Sequence, residues 1–194
     1  MKFTSKILST KKHDNDYQLM VIEKPLGFDA KPGQFALVKV PGFVLRRPLS
    51  FFDISETEIT FYFKPSGPGL EKLMKSQNDD FLVWYGPYGK KLPENNVDLF
   101  SHYPLHPALH FLAKKNNIHI HSLEKINQQE NMIIATDFKR MLQDEKVPLH
   151  AYLFCQETMG CGVGACMSCV IQTSKGEMKK ICQDGPFIKK EELL

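Results

Sequence analysis

The sequence predicts a β-barrel followed by a small, reduced α/β lobe and a C-terminal metal-binding segment, and three observations carry that prediction. From Lys2 to about Lys64, short apolar runs alternate with turn residues at close intervals, the pattern of antiparallel β structure. From Val97 to Leu153 the pattern changes to helix-like and strand-like stretches in alternation. All five cysteines then fall between Cys155 and Cys182. The expected units are residues 1–93 for the barrel, 94–154 for the lobe and 155–194 for the metal-binding segment.

The strand-like runs are Phe3 to Leu8, Tyr17 to Glu23, Phe35 to Val40, Leu49 to Ile54, Glu58 to Phe63 and Phe81 to Tyr85. Asp14-Asn15-Asp16, Pro32-Gly33 and Pro41-Gly42 punctuate them by known turn chemistry. About six strands of this length close naturally into a small barrel. Pro65 to Gly69 interrupts the pattern, and Pro68 suits the first turn of a helix with Leu70, Leu73 and Met74 on one face. Gly86-Pro87-Tyr88-Gly89 ends the last strand, and polar Lys90 to Asn96 is the candidate boundary. The lobe reads as a helix over His106 to Lys115, strands over Ile118 to His121 and Met132 to Ala135, a helix over Phe138 to Leu142 and a strand over Leu149 to Phe154. A lobe of about fifty-five residues is small for an independent domain and is expected to lean on its neighbours.

Cys161, Cys166, Cys169 and Cys182 read C-x4-C-x2-C-x12-C. The first three match the start of the plant-type [2Fe-2S] spacing. Gly160, Gly162, Gly164, Ala165 and Ser168 are small, which lets backbone amides approach the sulfurs. A structural zinc more often shows two C-x2-C knuckles, and a disulfide framework suits a secreted chain. Met1 leads instead into polar Lys2, Thr4, Ser5 and Lys6 with no apolar signal core, so a reducing cytoplasmic compartment is expected. Cys155, just before the loop, reads as a buried structural thiol.

The remaining composition excludes more than it proposes. The 194 residues are 42% apolar, enough for a packed core. A net charge of +3 arises from 25 basic and 22 acidic residues scattered along the chain, without a polybasic tract for nucleic acid. No apolar run approaches a membrane span. His102, His106 and His110 recur at helical spacing, but Pro104 and Pro107 interrupt them and no carboxylate accompanies them, so ordinary surface histidines are expected. Trp84, Tyr85 and Tyr88 cluster around the Gly86 turn and read as core residues. No nucleophile-base constellation is present.

Arg47-Pro48-Leu49-Ser50 sits where an arginine fork could clamp phosphates and a serine hydroxyl could reach a ring nitrogen. Alone the tetrapeptide is weak. It stands in a series with Lys31-Pro32-Gly33-Gln34-Phe35 before it, then Phe63-Lys64, Gly67-Pro68-Gly69, Gly86-Pro87-Tyr88-Gly89, and the cysteine loop ending in Cys182-Gln183-Asp184-Gly185-Pro186. In order and spacing this series resembles the ferredoxin-NADP reductase superfamily and, within it, the electron-transfer subunits of NAD-linked dihydroorotate dehydrogenases of pyrimidine biosynthesis.

The resemblance implies a ferredoxin-reductase-like barrel that binds FAD, an α/β lobe that binds NAD, and a [2Fe-2S] tail that passes electrons to a flavin in a catalytic dehydrogenase subunit, its hetero-oligomeric partner. Arg47 is then expected at the FAD phosphates and Ser50 near the isoalloxazine, with Pro48 and Leu49 completing the motif. Phe63 and Lys64 fall where the family has tyrosine and arginine. Gly67 and Gly69 match the third motif, and Leu70 replaces its threonine, removing one hydroxyl. The resemblance fails between Lys90 and Met159, a stretch without a glycine, although close approach of a dinucleotide pyrophosphate calls for glycines at the first strand-helix turn. The chain is therefore expected to be an oxidoreductase component with an atypical nicotinamide lobe. The alternatives are a flavin-free, ferredoxin-like carrier or docking subunit, retention of NADH oxidation, and a structural zinc protein.

Overall fold

The computed structural model describes residues 1–13, 17–94, 97–102, 106–126 and 132–194. The six expected strands close into an antiparallel barrel in the order β1-β2-β5-β4-β3-β6. They are β1 (Lys2–Lys12), β2 (Gln18–Glu23), β3 (Phe35–Val38), β4 (Arg47–Ile54), β5 (Glu58–Phe63) and β6 (Phe81–Tyr88), with the helix α1 (Pro68–Leu73) between the last two. β1 outruns its apolar centre because it serves two neighbours. Residues 2–6 pair with β6 and residues from Ile7 onward pair with β2, with an irregularity between Ile7 and Ser9 where the strand changes partner. β6 continues through the cis Gly86–Pro87 bond to Tyr88, past the expected stop at Tyr85. The expected turn Asp14-Asn15-Asp16 lies outside the described residues.

β3 shows how the sequence pattern places the barrel within the molecule. Ala36 and Val38 enter the barrel core with Phe51, Phe61 and Trp84, while Phe35 and Leu37 enter a second core shared with the lobe and the cysteine segment. Side chains alternate between faces along a strand. An all-apolar Phe-Ala-Leu-Val run is therefore what a strand buried on both sides requires. Inside the barrel, Trp84 is fully buried and its indole N–H donates to Ser5 Oγ at 3.2 Å.

The remaining elements are β7 (Asp98–Ser101), α2 (Pro107–Asn116), β8 (Ile120–His121), β9 (Met132–Ala135), α3 (Phe138–Gln143), β10 (Tyr152–Phe154), β11 (Val170–Gln172), β12 (Met178–Lys180), α4 (Ile181–Asp184), β13 (Phe187–Lys189) and α5 (Lys190–Leu193). The lobe sheet runs β13-β10-β9-β7-β8, parallel from β8 to β10, with β13 antiparallel at the edge. β9 is apolar throughout because Met132 and Ile134 face one core and Ile133 and Ala135 the other. The sequence pattern did not disclose β7 or β13. The strand expected from Leu149 begins only at Tyr152, since Pro148 to Ala151 closes a turn with a 3.1 Å backbone bond. The strand expected from Ile118 begins at Ile120. Among the described residues no helix is long and apolar enough to cross a membrane.

Helix α2 fastens the lobe to the barrel. Its His110 stacks on Phe52 of β4 at 3.9 Å between centroids, and its Lys114 pairs with Asp53. At its start, His106 is the N-cap: Nδ1 accepts from the Ala108 N–H at 3.3 Å, and the ring meets Phe154 edge-on at 5.2 Å. Neither residue is the ordinary surface histidine that its spacing suggested. Burial pushes the His106 pKa down to about 4, and burial likewise lowers that of His110.

Two outcomes follow. Because the folded-state pKa of His106 lies below the unfolded value of about 6.5, the unfolded chain binds the extra proton as pH falls, and stability is lost between about pH 6.5 and about 4. His106 keeps part of its surface open, so the loss is on the order of 1–3 kcal/mol. Urea titrations at pH 7 and pH 5 should show it, and His106→Asn, a non-titrating N-cap, should reduce the difference. Trp84→Phe should cost ~1–3 kcal/mol by stranding the buried Ser5 hydroxyl; Ser5→Ala in the same background should return part of it.

Candidate functional site

Barrel and lobe enclose a cleft of about 830 Å³, within the usual range for a small-molecule site. Its barrel wall holds Arg47, Pro48, Leu49 and Ser50 from β4, Phe63 and Lys64 at the end of β5, and Leu70 from α1. These are seven of the nine residues singled out as flavin-binding. The other two, Gly67 and Gly69, do not line the cleft, but a Cβ on Gly69 would collide with the Arg47 guanidinium. The first and third motifs thus meet in space, and the glycine is what admits the arginine. Arg47 also donates from Nη1 to the Leu45 carbonyl at 2.8 Å and lies over the Phe43 ring at 5.0 Å.

The lobe wall holds His102, His106, Pro107, Ala135, Asp137, Phe154 and other residues that follow β7, β9 and β10. These are the carboxyl ends of parallel strands, the edge at which open α/β sheets bind ligands. Here the start of the first lobe helix is occupied by its own chain. The His106 ring fills the cap position, Pro107 contributes no N–H, and Phe154 closes against the ring. Sequence reading missed this wall, as it missed Tyr17 and Tyr62, which stack at 4.5 Å and 8° and also line the cleft. Trp84, Tyr85 and Tyr88, expected in the core, do not line the cleft: Trp84 is fully buried, Tyr85 lies under Arg46 at 4.1 Å, and Tyr88 packs against the cysteine loop.

Cys161, Cys166 and Cys169 lie in a loop clamped to the outside of the barrel, and Cys182 follows on α4. Gly162, at φ +78°, lets the loop touch the barrel: a Cβ there would stand 2.7 Å from Leu37 Cδ1 and 2.9 Å from Tyr88 Cζ. The sulfurs fall into two pairs. Cys161 and Cys166 interact through their thiols on the exposed side, and Cys169 and Cys182 interact through theirs on the buried side, Cys182 riding on α4. Among the described residues no three His, Cys, Asp or Glu side chains gather around one metal ion.

Amide donors surround the outer pair. Val163 N–H and Cys166 N–H point at Cys161 Sγ at 3.3 and 3.4 Å, and the Ser168 hydroxyl lies 3.1 Å from Cys166 Sγ. These bonds favour the thiolate: the Ser168 hydroxyl first of all draws the Cys166 pKa down to about 6, and the amides lower that of Cys161. Burial pushes Cys182 up to about 11. Cys155, fully buried, is pushed up to about 12 by burial and is an inert structural thiol.

The other motifs of the series converge behind the loop. Gln34 Nε2 donates to the Gly89 carbonyl at 3.0 Å, Gly89 N–H to the Cys182 carbonyl at 3.2 Å, Lys90 N–H to the Gly185 carbonyl at 2.7 Å, and Cys155 N–H to the Pro186 carbonyl at 2.7 Å.

Comparison with known proteins agrees with this arrangement. Residues 156–194 match the family model described as the iron-sulfur cluster binding domain of dihydroorotate dehydrogenase B. The electron transfer subunit of dihydroorotate dehydrogenase B (NAD(+)) from Caldanaerobacter subterraneus is 25% identical over 245 aligned positions, spanning 100% of this chain and 98% of the relative. With 194 residues in this chain, at least 51 of those positions (245 minus 194) are gaps on its side. The corresponding subunit of Clostridium acetobutylicum is 24% identical, spanning 86% of this chain and 87% of the relative. Among solved structures, one reported for the NADH-dependent reduced ferredoxin-NADP oxidoreductase superposes with a TM-score of 0.80 at 18% identity, covering 98% of this chain and 89% of the other. The chain therefore has a ferredoxin-reductase-like fold, resembles the electron transfer subunits of dihydroorotate dehydrogenase B along its length, and matches the model of that family's iron-sulfur cluster binding domain over residues 156–194.

Proposed function

We propose that the chain is an electron-transfer subunit that relays electrons between FAD, held in the cleft, and the flavin of a catalytic dehydrogenase subunit similar to dihydroorotate dehydrogenase, by way of a [2Fe-2S] cluster on Cys161, Cys166, Cys169 and Cys182. The observation that carries this reading is the gathering of seven motif residues on one wall of one cleft, with paired cysteines clamped to the same barrel. The resemblance to pyrimidine-biosynthesis subunits supports a cytoplasmic hetero-oligomer.

In this reading Arg47 binds the FAD phosphates with its fork, held in direction by the Leu45 carbonyl and given room by Gly69. Ser50 reaches the flavin ring from the same strand. Flavin and cluster together supply conversion between two-electron and one-electron transfer. The loop amides at Cys161 and the Ser168 hydroxyl at Cys166 stabilise the charge that the cluster brings to the outer pair. In this reading His106, by capping the helix, and Pro107, by bringing no N–H, leave fewer donors at the helix start for a dinucleotide pyrophosphate, and NADH is not taken as the electron source. Electrons arrive from, or leave to, protein partners instead.

One feature favours the flavin-free carrier as a second reading: Leu70, a buried apolar residue, stands in the cleft where the related motif has a hydroxyl. Heating the protein and measuring released flavin separates the two, one FAD per chain excluding the carrier.

The aerobically purified protein should be red-brown, with both flavin and cluster absorption bleached by dithionite under anaerobic conditions and neither bleached by NADH; rapid bleaching by NADH would refute the account of the lobe. Arg47→Ala removes a charge-assisted hydrogen-bonding group worth about 1.5–3 kcal/mol, so FAD should bind about ten- to a hundredfold more weakly. Its cluster spectrum should be unchanged.

A further inference from the structure

We infer that Ser168 is a positioning residue that sets the reduction potential of the cluster, through a hydrogen bond from its hydroxyl to Cys166 Sγ; this rests on the cluster reading above.

Two contacts fix the direction of that bond. The Gly160 N–H donates to Ser168 Oγ at 3.1 Å, so one acceptor site of the hydroxyl is filled and its proton is turned elsewhere. Cys166 Sγ lies 3.1 Å from the same oxygen. A cysteine that ligates iron is a thiolate without a proton, so between these two atoms only the serine can donate. The geometry of the loop holds the arrangement in place: Gly160 leaves the space that the pair needs, since a Cβ there would stand 3.1 Å from Cys166 Sγ and 3.3 Å from Ser168 Oγ. A larger residue at 160 would push the donor and acceptor apart.

Ser168 differs in kind from the other donors to the ligand sulfurs. Cys161 receives backbone amides from Val163 and Cys166, and the Ser168 backbone also favours the Cys166 thiolate beside its hydroxyl. Backbone donors persist through side-chain replacement, whereas the Ser168 hydroxyl bond is written by one side chain. It also sits on the exposed pair, on the side of the loop open to solvent. Reduction adds one negative charge to the iron-sulfur unit, and a donor to a ligand sulfur stabilises the more negative state more strongly. Ser168 thus raises the potential and makes this chain a better electron acceptor than the same loop without the hydroxyl.

The test is an anaerobic, dye-mediated potentiometric titration of the cluster band in the complete protein, with wild type, Ser168→Ala and Ser168→Thr compared. Ser168→Ala should shift the oxidised-to-reduced ratio at a fixed potential about tenfold toward the oxidised form, a fall of ~59 mV for a one-electron couple. Ser168→Thr, which keeps the hydroxyl, should stay near wild type. Equal potentials for wild type and Ser168→Ala, with intact cluster absorption in both, overturn the inference while leaving the cluster reading standing. Absence of a cluster from the wild type overturns the cluster reading itself. Should Ser168→Ala not assemble a cluster, Ser168→Val against Ser168→Thr repeats the comparison with a methyl in place of the hydroxyl. Assembly only in the hydroxyl-bearing variants would overturn potential tuning in favour of a scaffold role.

Discussion

The architecture depends on the close approach of two turns that lie almost a hundred residues apart in the chain. Gly89, at φ +80°, passes so near Gly185 that a Cβ on it would stand 2.7 Å from the Gly185 carbonyl oxygen and 2.9 Å from Pro186 Cδ. Backbone bonds from Gly89 to Cys182 and from Lys90 to Gly185 then stitch the end of the barrel to the last cysteine. With Cys182 anchored in this way, the loop carrying Cys161, Cys166 and Cys169 can be pressed against Leu37 and Tyr88 through Gly162. A side chain at either glycine would have to move backbone or ring atoms, so the cysteine pairs inherit their position from the absence of two Cβ atoms.

β3 extends that constraint into the core. Its outward residues, Phe35 and Leu37, belong to the same cluster of buried side chains as Cys169, Cys182, Met159 and Leu153. The cysteine segment is therefore not an appended tail. It is packed on a barrel wall whose neighbouring strand, β4, carries Arg47 and Ser50. Sites that the sequence separates by more than a hundred residues share one rigid support, which suits electron transfer, where fixed geometry matters more than motion.

The parts of this arrangement that were legible in the sequence are those written in local chemistry. Alternation and turn residues gave the six barrel strands, and the cysteine spacing with its small neighbours gave the loop. The glycines at 69 and 162 were noticed as motif members, although only the structure shows what each makes room for. What stayed hidden depended on tertiary partners. β13 is a three-residue strand whose identity comes from pairing with β10. Tyr17 and Tyr62 reach the cleft because of barrel closure, and nothing in the sequence around His106 reveals that its ring caps a helix and meets Phe154. The histidine spacing invited a metal or a surface reading, whereas burial and capping decide the role.

The edge strand β13 gives the lobe a use that has nothing to do with nucleotides. Its residues follow Cys182 directly and pair with β10, and Lys190 beyond it donates from Nζ to the Asp144 and Val147 carbonyls. Shedding the lobe would leave Cys182 between a two-stranded hairpin and an unpaired strand, with its apolar side facing water. The lobe thereby serves as the shelf on which the cysteine segment rests.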